Sequence, residues 1–235
     1  MGFGFFNPYY WLFMLPAFLL MMATQWYVNS AYRKWSQVRA SSGMTGAEAA
    51  ERLMRYAGIY DVRIEGVAGN LSDHYDPRQR VLRLSNGVFR GNSVASLAIA
   101  AHELGHAMQD QQGYLPLKFR AALVPAVGIG STLGWILILI GLFLGYTQVA
   151  WLGLLVFSAG AFFALATLPV ELNASARAKR LLAETGLIMG EEERSGVNHV
   201  LNAAALTYVA GLITAVLQLF YYVMLITGMG GRRRS

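Results

Sequence analysis

Charged side chains are absent from three long stretches of the chain, 1–32, 121–170 and 195–231. A helix that crosses a membrane needs about 20 consecutive, mostly apolar residues. The outer stretches therefore have room for one span each and the middle one for two. The apolar runs place these spans near 8–28, 123–144, 149–167 and 203–227, with Gly145-Tyr146-Thr147-Gln148 as the polar turn between the middle pair. Tyr9, Tyr10, Trp11, Trp26 and Tyr27 stand near the ends of the first run, where aromatic rings favour the membrane interface. No basic residue precedes that run and no small-x-small site follows it, which argues against a cleaved signal peptide.

Two segments, 41–113 and 170–202, carry the polar residues. Thr45-Gly46-Ala47-Glu48 fits a capping box, and predicts a helix over 46–57 stopped by Gly58. The stretch 62–67 alternates like a strand, Asp76-Pro77 turns, and 80–85 alternates again. Ser93 is placed to cap a helix running to about Gln112, with Gly113 as its stop. Segment 170–202 reads as helical, with Pro169 suiting a first turn and Gly186 a C-cap. The expected fold is a single domain over 1–235, mainly α. About four transmembrane helices carry a small α+β unit at the membrane surface.

Cysteine is absent, which excludes disulfides and thiolate metal sites. The net charge of +6 comes from basic residues beside the spans and accompanies no nucleic-acid motif, so no nucleic-acid partner is expected. Arg33, Lys34 and Arg39 follow the first span, Lys118 and Arg120 precede the second, and Arg177, Lys179 and Arg180 follow the third. By the positive-inside rule, both polar segments face the cytoplasm in a plasma-membrane protein. Arg232-Arg233-Arg234 opposes this, since a complete fourth span puts it outside; the other eight charges outweigh it.

Within the polar segments, His102-Glu103-Leu104-Gly105-His106 carries the chemistry. Histidines four residues apart project from one helix face and can bind one zinc ion through ring nitrogens. Glu103 stands beside the metal, placed to take a proton from water and return it to a leaving amine. Gly105 leaves room for a close neighbour. A catalytic zinc takes three protein ligands and keeps one position open. The downstream carboxylates are Asp110, Glu171, Glu184 and Glu191-Glu192-Glu193. The trio reads as a solvated first helical turn, and Asp110 is too close to His106 on its own helix. Glu171, an ionisable residue at a membrane boundary, is the expected third ligand, with one Zn2+ per chain.

His102–His106, Glu171-Leu172-Asn173-Ala174-Ser175, the stretch Leu71-Ser72-Asp73-His74-Tyr75-Asp76-Pro77-Arg78 and the run opening the last span at Asn202 together resemble the YugP-type neutral zinc metallopeptidases of bacteria. The likeness spans nearly the whole chain. It implies a multi-span membrane peptidase with zinc on the two histidines and the downstream glutamate. More distantly the chain is similar to the HtpX heat-shock and CAAX prenyl proteases. Those carry an aspartate, four residues after the glutamate, that supports a zinc-bound histidine. Here Ser175 occupies that position, leaving Asn173 or Asp110 as other candidates to orient a histidine.

The expected function is zinc-dependent endopeptidase cleavage of membrane or membrane-associated proteins. His74, Tyr75, Arg177 and Tyr208 are candidate donors to the tetrahedral oxyanion, and the strand region around His74 is a candidate docking edge for an extended substrate. The alternative is a catalytically silent zinc-binding scaffold in the membrane. A transporter ranks below both, because the middle spans hold no ionisable residue. His199 has no evident partner.

Overall fold

The computed structural model describes residues 8–232. Four of its helical stretches are long and apolar enough to cross a membrane: Tyr9–Ser36, Leu115–Leu144, Thr147–Glu184 and Gly190–Gly228. They match all four expected spans, the first to within one residue. By contact the chain divides into two compact units. One holds residues up to 24, 118–168 and from 207 onward, and the other holds 25–117 and 169–206.

The first unit is wholly helical. It contains the start of α1 (Pro8–Ser36), most of α5 (Leu115–Leu144), α6 (Thr147–Phe157), the start of α7 (Ala159–Glu184) and the later part of α8 (Gly190–Arg232). Small residues let α5 and α6 approach backbone to backbone. A Cβ on Gly134 would meet Phe157 N at 2.5 Å, and one on Gly153 would meet Ile138 N at 2.5 Å. Lipid offers no hydrophobic drive between helices, so close van der Waals packing of this kind is what holds spans together. Ile138, Leu142, Ala150, Leu154, Tyr221, Tyr222 and Ile226 fill the interior. Ile129, Phe143 and Leu155 are largely exposed, as lipid-facing side chains of a multi-pass protein are.

The second unit is α+β. The capping box forms as expected: Thr45 N donates to Glu48 Oε2 (2.8 Å) and Glu48 N to Thr45 Oγ1 (3.3 Å). It starts α2 (Gly46–Ala57), which ends on Gly58 in the left-handed region at φ +69°. Three strands follow, β1 (Arg63–Val67), β2 (His74–Asp76) and β3 (Val81–Ser85), in the order β1-β3-β2. β1 runs parallel and β2 antiparallel to β3, which is buried along most of its length. A short helix, α3 (Asn86–Phe89), leads to α4 (Val94–Gln111). Ser93 caps α4 by accepting from Ser96 N at 3.1 Å. Leu53, Leu82, Leu84, Leu97, Leu104, Leu182, Leu187 and Leu201 form the core.

Three expectations about segment 170–202 change. Pro169 does not begin a helix; α7 continues through it to Glu184. A proline inside a helix costs about 3 kcal/mol. Continuing the helix buries Val170, Glu171, Ala174, Ser175 and Ala178, and that packing outweighs the lost amide. Next, Gly186 lies at φ +63° just beyond α7, as a C-terminal glycine should, but α8 then begins at Gly190 and runs without a break into the last span. Finally, the acidic trio is not a solvated turn throughout. Glu193 is only 6% exposed and accepts from Ser41 N (2.5 Å), Ser41 Oγ (2.8 Å) and Met189 N (2.6 Å).

Candidate metal centre

The site is built where α4 and α7 touch. Their approach depends on Gly105, where a Cβ would sit 2.7 Å from the Ala174 carbonyl oxygen and 3.1 Å from its Cα. At that contact His102 and His106 project from one face of α4 toward Glu171 on α7. Glu171 Oε2 lies 3.3 Å from His102 Nε2 and 3.5 Å from His106 Nε2. The two imidazoles stand edge to face, their planes 86° apart. All three ligand atoms fall within 4.8 Å of one another.

These positions suit zinc. Tetrahedral bonds of about 2.0–2.1 Å separate neighbouring ligand atoms by about 3.4 Å, which is the spacing from the carboxylate oxygen to each ring nitrogen. Two nitrogens and one oxygen are a zinc donor set with a fourth position to spare. The Glu171 side chain is 3% exposed and each histidine 12%, so the cluster is nearly dry yet open at its imidazole edge. Burial pushes the His106 imidazole down, but the Glu171 hydrogen bond and the charges of Glu103 and Glu171 more than reverse this, leaving its pKa above the ordinary histidine value. Three acceptor atoms crowded together in this way bring a positive charge to the site.

Each histidine also has a partner for its far nitrogen. Ser175 Oγ lies 3.2 Å from His102 Nδ1, and Gln109 Oε1 lies 3.0 Å from His106 Nδ1. Ser175 thus reaches His102 from one helical turn beyond Glu171. Neither Asn173 nor Asp110 reaches a histidine. Asn173 Oδ1 accepts from Gln109 Nε2 (3.0 Å) and Arg177 Nε (2.7 Å), while Asp110 accepts from the Tyr75 hydroxyl (3.0 Å). Gln109 was absent from the sequence expectations. Its one sequence signal is its position three residues after His106, on the same helix face.

Glu103 is half-buried beside the cluster, and its carboxylate makes no hydrogen bond or ion pair among the described residues. The remaining candidates scatter. His74 opens β2, exposed, with Nδ1 2.9 Å from Ser72 O. The Tyr75 hydroxyl is taken by Asp110, and burial together with that bond raises its pKa well above the usual phenol value. Arg177 donates to Asn173 and to Gln112 Oε1 (2.6 Å). Tyr208 belongs to the helical unit. Glu184 accepts from Tyr56 (3.3 Å). His199 stacks on Trp35 with ring centroids 6.0 Å apart.

The Leu71–Arg78 stretch proves to be a brace. Burial raises the Asp73 carboxyl pKa despite its bonds to Ser85, and Asp73 takes Ser85 N (2.7 Å) and Oγ onto itself. Asp76 accepts from Arg78 N and from Arg83 Nη1 (2.9 Å). Through Tyr75 this brace fixes β2, an edge strand, to α4.

Comparison with known proteins agrees with the geometry. A family model described as "Putative neutral zinc metallopeptidase" matches residues 10–227. The chain is 46% identical over 211 residues to the "Putative membrane protease YugP" of Bacillus subtilis (strain 168), covering 90% of this chain and 93% of that protein. No solved structure matches the chain.

Proposed function

This chain belongs to the neutral zinc metallopeptidase family, and from that premise we propose that it is a zinc-dependent membrane endopeptidase that hydrolyses peptide bonds of membrane or membrane-associated proteins. The observation that carries the reading is the convergence of His102, His106 and Glu171 with Glu103 adjacent to the first of them. His102 Nε2, His106 Nε2 and a Glu171 oxygen would hold one Zn2+. When bound, that ion supplies Lewis acidity, lowering the pKa of water toward about 7 and polarising a carbonyl. Glu103 takes the proton of the attacking water and delivers it to the departing amine. Its lack of a competing ion pair leaves both carboxylate oxygens available for this transfer. Burial of Glu171, 3% exposed, keeps bulk water from its side of the cluster.

Substrate reaches the site as an extended strand. β2 is an edge of its sheet and is tied to the histidine helix by Tyr75 and Asp110, so its free edge can pair with a peptide backbone. α4 ends at Gln111, a few residues before α5, which keeps the site close along the chain to a span and favours membrane-borne substrates on the cytoplasmic side.

The first test is metal content of the detergent-purified protein by elemental analysis. About one zinc per wild-type chain, lost in Glu171→Ala, is expected. A wild type without tightly held metal overturns the reading. Glu103→Gln separates the peptidase from a silent scaffold: it should keep zinc and lose about 10²–10⁴-fold in turnover of a membrane-protein substrate, the range for a positioned acid–base group.

A further inference from the structure

Gln109 is the one fully buried polar side chain on the histidine helix whose amide faces the metal cluster, at 0% exposure. Which end of a glutamine amide faces which neighbour must be settled by its partners. Here two partners settle it independently. On one side Nε2 lies 2.8 Å from the Val170 carbonyl oxygen, which can only accept. On the other it lies 3.0 Å from Asn173 Oδ1. The identity of that Asn173 atom is itself set by Arg177, whose Nε can only donate to it, at 2.7 Å. The amide nitrogen therefore points toward α7, and Oε1 must face His106 Nδ1 at 3.0 Å.

An acceptor at that point requires Nδ1 of His106 to carry the proton, which leaves the Nε2 lone pair directed at the cluster. The same side chain grips the backbone of residue 170, next to Glu171. One amide thus orients a histidine on α4 and anchors the segment of α7 that carries the third donor. We infer that Gln109 is a positioning residue of the metal site: it selects the Nδ1–H form of His106 and holds the Glu171 segment, and so sets metal affinity. The inference rests on the three-donor site proposed above. It also gives that site a distinct character, because His102 likewise meets a neutral partner, Ser175. Both imidazoles are oriented without adding negative charge, and Glu171 remains the sole anionic donor.

The test compares zinc affinity, by competition with a chromophoric chelator, in the full-length detergent-purified wild type, Gln109→Met and Gln109→Glu. The melting temperature of each metal-free protein is measured alongside. Met keeps the volume but offers no acceptor for Nδ1–H, whereas Glu keeps the acceptor. Loss of an orienting partner typically weakens metal binding about 10–100-fold, which is expected for Gln109→Met, while Gln109→Glu, which keeps the acceptor for His106 but loses the donor to Val170, falls between Gln109→Met and wild type. A role in packing alone predicts the reverse order, since a buried carboxylate disrupts a core more than a thioether does. Zinc binding in Gln109→Met equal to wild type, or losses in both variants that track melting temperature, overturns the inference. Arg177→Leu reads the same constraint from the rim should Gln109→Met fail to fold. Releasing Asn173 should weaken zinc binding severalfold with the cobalt-substituted spectrum altered, and unchanged affinity and spectrum count against the inference. Absence of zinc from the wild type overturns the metal site itself and this inference with it.

Discussion

At the scale of single residues, position 105 shows how little slack the site has. The atoms a methyl group would strike there are backbone atoms of Ala174, and two packed helices cannot turn them aside as a side chain could. Gly105→Ala must therefore push α4 from α7, and Glu171 lies one turn from the point of contact. Overpacking of this kind costs about 1–3 kcal/mol. The expected result is a folded protein with a modestly lowered melting temperature whose zinc affinity, read by chelator competition, drops well beyond what the lost stability explains. Unchanged affinity would mean that the helices separate without moving the donors. The need for a small residue was legible in the sequence, as were the two histidines, because both follow from helical periodicity alone. Gln109 and Ser175 were not so legible. Their meaning depends on which atoms across a contact 61 to 73 positions away turn toward them, and no local pattern encodes that.

At the scale of elements, local signals worked where an element's boundary is set by its own caps. The Thr45 box, Gly58 and Ser93 place α2 and α4 nearly to the residue. They failed where tertiary burial overrides local chemistry, as at Pro169, and where an element is too short to show a period, as with α3. Glu193 is the informative failure. In sequence it is one of three acidic residues in a first helical turn, all equally exposed in expectation. In the fold it alone turns inward to accept from the Ser41 loop and from Met189 N, joining the start of α8 to the entry of α2. Hydrogen bonds to a charged acceptor contribute about 1.5–3 kcal/mol each. Glu193→Ala should accordingly lower the melting temperature by several degrees while leaving zinc stoichiometry at the wild-type value. Zinc loss at unchanged melting temperature would reassign Glu193 to the metal and remove Glu171 from it.

At the scale of the whole molecule, four apolar helical stretches give a multi-pass membrane protein, and we propose from the charge pattern that the α+β unit faces the cytoplasm. Eight basic residues in three clusters flank that unit's segments, and an excess of Lys and Arg near span ends sets orientation. The two spans between 29–121 and 170–202 return the chain to the same side, so the clusters agree with one another. Only the terminal arginines conflict, and residues 233–235 lie outside the described structure. The chain's lack of cysteine makes the question directly measurable. Single-cysteine variants at Tyr60, 81% exposed in the α+β unit, and at Tyr146, 55% exposed in the turn before α6, can be treated in intact cells with a membrane-impermeant maleimide. Tyr146→Cys should react at once and Tyr60→Cys only after permeabilisation. The opposite pattern would place the histidines outside the cell and restrict substrates to exported or externally exposed chains. A third variant, Ser235→Cys, then decides the fourth helix: labelling in intact cells means the arginines were carried across with it. Protection would mean that α8 does not cross completely, and that the tail arginines belong with the other eight charges.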